Sequence, residues 1–398
     1  MASTNTLLTP TVIAKESLMQ LTNSMGMARN VHTAYKNEFV KVGTSVTIRK
    51  PNKFRATKAQ ARSNTDLVEP STSITMATQA HVSWAFSSVQ LTTTIEDYSK
   101  RYIAPAAAAL ANVIDADLCG LYTDVANYVG TPGQTPASFK VLGDAQEVLD
   151  DECAPPEGRV AVVNPAAHWA LADALKGTFA PNVAKDIMTK GYLGTIANLS
   201  IYMDQNIKRH TNGAFETDIV INDAAIASGD TTLITANWGG SSAVAKGDIF
   251  TIADCYACNP MTGESTGKLR RFVVTADLAD TGAAMTIPFA PAAVYGATNA
   301  YSNVTALPAD TKAITFVGTL STQYPQNLVF HNNAFALVTV PIEIPSNVWG
   351  ARETDSDAGI SIRVVKQYDI GADEEIIRLD ILYGVKTLYP ELAVRLWG

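Results

Sequence analysis

Cys255 and Cys258 stand two residues apart, the spacing from which proteins build half of a tetrahedral zinc site. Zinc needs four ligands, and no second pair is near; His331, His210 and Cys153 would have to converge from distant parts of the chain. The simpler reading is two small core or turn residues. Gly263-Glu264-Ser265-Thr266-Gly267 spells a serine nucleophile elbow, but that motif works where a strand turns sharply into a helix. Here the surroundings are rich in turns and short strand candidates. Lys268-Leu269, which follows, fails as a phosphate loop: the glycine spacing is one residue short, and no Ser or Thr follows the lysine to hold a metal. Asp115, Asp117 and Asp124, with Glu147, Asp150, Asp151 and Glu152 soon after, supply enough acids for paired-carboxylate catalysis. No histidine is close, and no pattern directs two of these acids into one pocket. A solvated or interface face explains them more simply. The sequence thus offers no catalytic set, no cofactor-binding set and no metal site.

A stretch of one charge sign is more informative. Residues 39–65 contain no Asp or Glu but carry Lys41, Arg49, Lys50, Lys53, Arg55, Lys58 and Arg62. Single-strand nucleic-acid binders interleave aromatic rings with such cations, and Phe54 is the only ring among these basic residues. An acidic surface on a neighbouring subunit is the better match. The contact candidates are then Arg49, Lys50, Lys53, Arg55, Lys58 and Arg62 on one side. Asp115, Asp117, Asp124, Glu147 and Asp150 are the candidates on the other.

The elements that carry these residues can be placed from pattern. Thr9-Pro10 reads as an N-cap followed by proline at the first helical position, opening a short helix with Val12, Ile13, Leu18, Met19 and Leu21 on its apolar side. Val46 and Ile48 alternate like a strand, Pro51-Asn52 breaks it, and Val82, Trp84 and Phe86 alternate again. The expected form is a long hairpin: strand out, basic and polar tip, strand back. An arm of that length cannot lie wholly in its own core. After a helical turn or two over Ile95–Tyr102, Pro105 opens the longest helix, expected to run to about Tyr128 on Leu110, Val113, Ile114, Leu118, Leu121, Tyr122 and Val125. Helix and strand then alternate: Ser138–Asp151 helical, Arg159–Val163 a strand, Asn164-Pro165 to Leu175 helical, Leu199–Met203 a strand. From about Thr211-Asn212-Gly213 to residue 310 the chain becomes rich in Thr, Ala, Gly and Asp. Short strands are expected at Asp218–Asn222, Thr232–Thr235, Asp248–Ala253, Arg271–Thr275 and Met285–Ile287. Mixed character returns at Asn327–Phe330 and Ala334–Ile344, and strands over 360–369 and 375–386 close the chain. The β module is therefore expected inside the α/β lobe.

Composition sets wide bounds. At 398 residues the chain is long for one domain, and 47% hydrophobic with 17% charged residues is the balance of a folded protein. A net charge of −8 argues against a surface that grips nucleic acid throughout, while allowing weak contact along one face. Four cysteines make no disulfide framework, the N-terminus carries no secretory signal, and Ile103–Ala111 is too short to span a bilayer. A soluble, cytoplasmic protein without a membrane partner is the expectation.

This order of parts resembles the Hong Kong 97 capsid fold, and more closely the podovirus coat proteins of the P22 type, which insert a β-barrel into the apical domain. The stretches VAVVNPAAHWALADAL, AKGDIFTIA, LVFHNNAFALVTVPIEIP and IIRLDILYGVKTLYPELAVRLW carry the likeness. The resemblance implies an α+β, Hong Kong 97-like capsid fold with an inserted small β-barrel domain. Its parts would be an N-terminal arm (1–38), an extended hairpin loop with flanking strands (39–92), the spine helix of the peripheral domain (93–137), an apical α/β domain (138–212), the inserted barrel (213–326) and a return to the apical and peripheral domains (327–398). It implies a major capsid protein, with no catalysis and no cofactor, that forms pentamers and hexamers of an icosahedral shell. Scaffolding protein and portal would be assembly partners, and packaged double-stranded DNA would touch the inner face weakly. The virion, assembled in a bacterial cytoplasm, is the implied location. The family holds its scaffolding protein through acids of the N-terminal arm; here Glu16 is the only acid before Glu38, so that contact does not carry over. An encapsulin-like compartment shell is the alternative, and a hydrolytic enzyme a more distant one.

Overall fold

The computed structural model describes residues 10–33, 45–55, 69–87, 99–175, 193–240, 242–279, 284–296, 299–355 and 359–398. The chain forms two compact units. Unit 1 comprises Met1–Ile48, Ser71–Leu118 and Phe335–Lys386; unit 2 comprises Arg49–Pro70, Cys119–Ala334 and Thr387–Gly398.

Unit 1 is built on a five-stranded sheet. Phe335–Val340, Glu374–Thr387, Ser361–Asp369 and Trp349–Thr354 lie side by side in that order, and Thr78–Ser87 also pairs with Glu374–Thr387. That last pairing runs antiparallel from Glu374↔Ser87 to Tyr383↔Thr78. Alternation sorts the long strand: Ile377, Leu379, Ile381 and Tyr383 are buried on one face, while Arg378 and Asp380 fall on the other. Helix α1, Pro10–Ser24, buries Ile13, Ala14, Ser17 and Leu21 at helical spacing and packs against Trp349–Thr354 and Ser361–Asp369. Helix α2, Ala104–Gly120, follows a π-turn at Ser99–Ile103 and buries Ala107, Leu110, Ala111, Ile114 and Leu118. It is shorter than the sequence suggests. Gly120 weakens the helix, a 3₁₀ turn covers Leu121–Asp124, and Val125 is already extended, so Tyr122 and Val125 are buried without being α-helical. The stretch Arg101–Asp124 is long and apolar enough to cross a membrane, where Ile103–Ala111 alone is not. Its three aspartates all have protein partners, as in the core helix of a folded protein.

The long hairpin is differently paired from the expectation. Ser45–Arg49 pairs with Ser71–Thr75, not with the strand that carries Val82, Trp84 and Phe86. Val82 and Trp84 stand opposite Leu379 and Ile377, an apolar match that Ser71–Thr75 could not supply. Val46 and Ile48 are instead buried along with Ile74. The basic tip at 56–68 lies outside the described residues.

Unit 2 contains two six-stranded sheets. In the first the order is Tyr128–Val129, Ala393–Leu396, Asn327–His331, Arg159–Val163, Leu199–Met203, Thr195–Ile196. Arg159–Val163 and Asn327–His331 are buried at every position, as in strands covered on both faces. Helices α3, Phe139–Asp151, and α4, Pro165–Leu175, supply Leu142, Val148, Leu149 and Leu171 to the core with Val163, Val329 and Val394. Both start on side-chain caps: Ser138 Oγ accepts the Val141 N–H at 3.4 Å, and Asn164 Oδ1 accepts that of Ala167 at 2.8 Å. The second sheet is antiparallel, in the order Ile314–Phe316, Ile249–Cys258, Ser265–Val274, Ala284–Ala290, Thr232–Ala236, Val220–Ile221. Its two end strands meet at the Val220–Ala313 bridge, where the Ile314 N–H donates to Ile219 O at 2.9 Å, so the sheet closes into a barrel. Phe250, Phe272, Phe289 and Phe316 fill it. Arg209–Thr211 leads in and pairs antiparallel with Gln323–Pro325 leading out.

Candidate functional site

The cysteine pair sits on the strand Ile249–Cys258, both thiols buried. Burial pushes the Cys255 thiol up to about 12, against the lowering charge of Arg270, and raises that of Cys258 too. The histidines that would complete a metal site are engaged by other partners: His210 bonds Asp248 and Tyr122, and His331 Nδ1 accepts the Asn333 N–H, while Cys153 donates to Asn259 Oδ1. Among the described residues no group of three or more His, Cys, Asp or Glu could hold a metal ion. Residues 263–267 lead into the strand Ser265–Val274, with Ser265 Oγ accepting the Gly267 N–H, and no helix follows. Lys268 is clasped by Glu147 and Asp151, each at 2.7 Å.

One buried array resembles a relay and was not legible in the sequence. His210 Nε2 lies 2.8 Å from Asp248 Oδ1, and Nδ1 lies 3.1 Å from the Tyr122 hydroxyl. A carboxylate only accepts, so His210 Nε2 donates to Asp248, and in the tautomer with that single proton Nδ1 accepts the Tyr122 O–H. Burial raises the Tyr122 pKa, while Arg395 over its ring opposes that, and the phenol stays protonated. Asp248 Oδ2 also accepts the N–H groups of Ala245 at 2.8 Å and Gly213 at 3.1 Å. All of Tyr122, His210 and Asp248 are buried, and among the described residues no Ser, Thr or Cys side chain is bonded to them. The array fastens the strand leading into the barrel to the barrel itself.

The acids proposed for contact divide in two. Asp115 is only 1% exposed, and its carboxylate accepts the N–H groups of Gly26 and Ala28 at 2.7 and 2.8 Å. It anchors the segment after α1 to α2 and has no surface to offer a neighbour, so it leaves the contact set. Asp117 accepts the Tyr383 hydroxyl, and Asp124 that of Thr387 at 2.7 Å. Asp150, 65% exposed, holds the buried Arg159 at 2.6 Å, and Glu147, 58% exposed, holds Lys268. These two retain open surface.

The cations divide similarly. Arg49 pairs with Glu69 at 3.1 Å, both exposed. Lys50 reaches Leu388 O and covers the Tyr389 ring at 4.8 Å. Arg55 donates to Ser302 O at 3.1 Å and Pro260 O at 3.5 Å, both in its own unit. Lys53 is exposed and its backbone N–H donates to the Tyr301 hydroxyl at 3.2 Å. Lys58 and Arg62 lie outside the described residues. A cavity of about 130 Å³ in unit 2 is lined in part by Lys53, Asp124, Glu152, Arg270, Tyr301 and Glu391. Glu152 and Arg270 pair across it at 2.5 Å, and neither is a free reactive group.

Curated proteins give no match. Among solved structures, that of Mycobacterium phage Che8 aligns with a TM-score of 0.49 and 14% identity, over 93% of this chain and 90% of that one. The capsid of Ralstonia phage GP4 aligns with a TM-score of 0.44 and 9% identity, over 94% and 89%. The CUS-3 coat protein I-domain aligns with a TM-score of 0.21 and 21% identity, over 26% of this chain and 99% of that one. The family model "P22 coat protein - gene protein 5" matches residues 1–398. The chain therefore belongs to the P22 coat protein family: it is an α+β major capsid protein of a tailed bacteriophage, a self-assembling part of the virion shell and not an enzyme.

Proposed function

We propose that copies of this chain close into an icosahedral shell of pentamers and hexamers around double-stranded DNA, assembled in a bacterial cytoplasm with a scaffolding protein and a portal. Residues 213–326 act as a barrel domain inserted into the apical domain, with 39–92 as the intersubunit loop and 93–137 as the spine. The observation that carries this reading is the exposed apolar surface on both units. Trp349 is 72% and Ile370 85% exposed in unit 1, and Met261 71% and Phe54 67% in unit 2. Large apolar side chains left in water on both units suit a subunit that is covered by neighbours, and repeated heterologous contacts close a shell. The genome is touched lightly, since a chain of net charge −8 has few cations to spare for phosphates.

The test is co-expression with the scaffolding and portal genes of the same phage, followed by particle purification and analysis of contents. Nuclease-resistant double-stranded DNA inside particles, after passage through scaffold-filled shells, is expected. Particles that hold a cargo enzyme and never DNA would overturn the reading in favour of a protein compartment.

A further inference from the structure

The cavity in unit 2 leaves charges of both signs unanswered. Its volume of about 130 Å³ is close to the roughly 150 Å³ that admits one benzene-sized guest to a protein core, so it has room for about six to eight non-hydrogen atoms. Arg270, on its wall, is 7% exposed; it gives Nη1 to Glu152 at 2.5 Å, while its Nε, also buried, has no partner. A buried donor without an acceptor is costly, so the site gains from a ligand oxygen. Lys53 lines the same space, and its ammonium forms no ion pair among the described residues.

Two acids of the lining are also short of a counter-charge. Asp124 accepts the neutral Thr387 hydroxyl at 2.7 Å, and Asn127 donates to the backbone oxygen of Glu391 at 3.4 Å, not to its carboxylate. Neither acid pairs with a cation among the described residues, and both are half-buried, where an unpaired charge is disfavoured. The lining holds three acids, Asp124, Glu152 and Glu391, against two cations, Lys53 and Arg270. A simple anion therefore meets net repulsion, and a simple cation leaves the Arg270 Nε–H unmatched. No group of metal ligands is present among the described residues. A zwitterion satisfies both signs, and Ala126, Pro291, Ala300 and Pro390 offer CH surface for a short aliphatic side chain.

We propose that this cavity binds a free α-amino acid with a small aliphatic side chain. Its carboxylate faces Arg270 and Lys53, and its ammonium faces Glu391 and Asp124. The guest bridges the Lys53 segment, the barrel strand Ser265–Val274 and the 3₁₀ turn Pro390–Leu392 that precedes the last strand. Because only the folded chain brings these together, occupancy stabilises unit 2 by mass action.

Equilibrium dialysis of the purified subunit against radiolabelled L-valine tests the site. Saturable binding of one molecule per subunit, with a Kd below about 1 mM, is expected. The unfolding temperature should rise over the same concentration range. Isovalerate lacks the ammonium and isobutylamine lacks the carboxylate, so each should bind at least about tenfold more weakly. Glu391→Gln and Lys53→Met, checked for folding by circular dichroism, should each weaken L-valine binding about tenfold. The two half-ligands probe the unmodified protein, so a variant that fails to fold leaves the test intact. No saturable uptake of L-valine, L-alanine or L-proline would overturn the proposal and leave a cavity that holds water only. Isovalerate or isobutylamine binding as tightly as L-valine, or binding unchanged in both folded variants, would overturn it as well.

Discussion

Replacing Asp115 separates a structural acid from a contact acid. The carboxylate is 1% exposed and receives two backbone N–H groups, from Gly26 at 2.7 Å and Ala28 at 2.8 Å, across 89 and 87 residues of chain. In Asp115→Ala both donors lose a charged acceptor. Hydrogen bonds to charged groups contribute about 1.5–3 kcal/mol each, and an unsatisfied buried donor costs about 1–3 kcal/mol. Ala28 is buried and bears the full loss, whereas Gly26 is partly open and recovers some of it from water. The sum is about 3 kcal/mol, close to a hundredfold or more in the folding equilibrium at roughly 1.4 kcal/mol per factor of ten. Urea unfolding of the purified subunit, read by fluorescence, should show the midpoint moving down with the slope unchanged. Asp115→Asn, which keeps one acceptor oxygen, should lose about half as much. A subunit of parental stability that fails only in assembly would refute this reasoning and return Asp115 to the intersubunit contact.

Three further outcomes are expected. Asp380 is fully buried, which alone would raise its carboxyl, but hydrogen bonds and charge from Arg363 and Arg378 outweigh burial and hold it below the usual carboxylate range. A lowered folded-state pKa adds stability above the unfolded value and loses it as pH falls through the folded value. Unit 1 should therefore weaken below about pH 4, and Asp380→Asn should flatten that part of the acid limb in unfolding curves across pH. Cys119, Cys255 and Cys258 are buried, so a disulfide reagent should modify only Cys153 in the folded protein and all four after denaturation; more than one rapid thiol would contradict the packing. Arg55→Ala should destabilise unit 2 by about 1 kcal/mol through its lost carbonyl contacts, whereas Lys53→Ala should leave the unfolding midpoint in place.

What could be read in the sequence followed from physical contrast along the chain. Arg159–Val163, the helix Pro165–Leu175 and Leu199–Met203 match their expected bounds, because a β-branched apolar run, an Asn-Pro start and a second short run leave few alternatives. Strand pairing was less legible, since it is chosen in three dimensions. Ser71–Thr75 reads as polar with Ile74 its one large apolar side chain, yet Ile74 is the residue buried against nothing but protein. Trp349–Thr354, broken by Gly350 and three charged or polar residues, gives no strand pattern and is one all the same. The candidate contacts suffered from a related blindness. Asp115 and Asp150 look alike in a sequence, although one is buried on backbone donors and the other is 65% exposed. Tyr122, His210 and Asp248 are separated by 88 and 38 residues, and no local signal joins them. The exposed turn at Ile370 could not be noticed before the strands flanking it had been placed.

The most direct test of the whole account is electron microscopy of the purified protein, alone and with its scaffolding protein, over a range of concentration and salt. Closed shells of uniform size, built from rings of five and six subunits, are predicted. A solution that holds only single folded subunits under every such condition would contradict it.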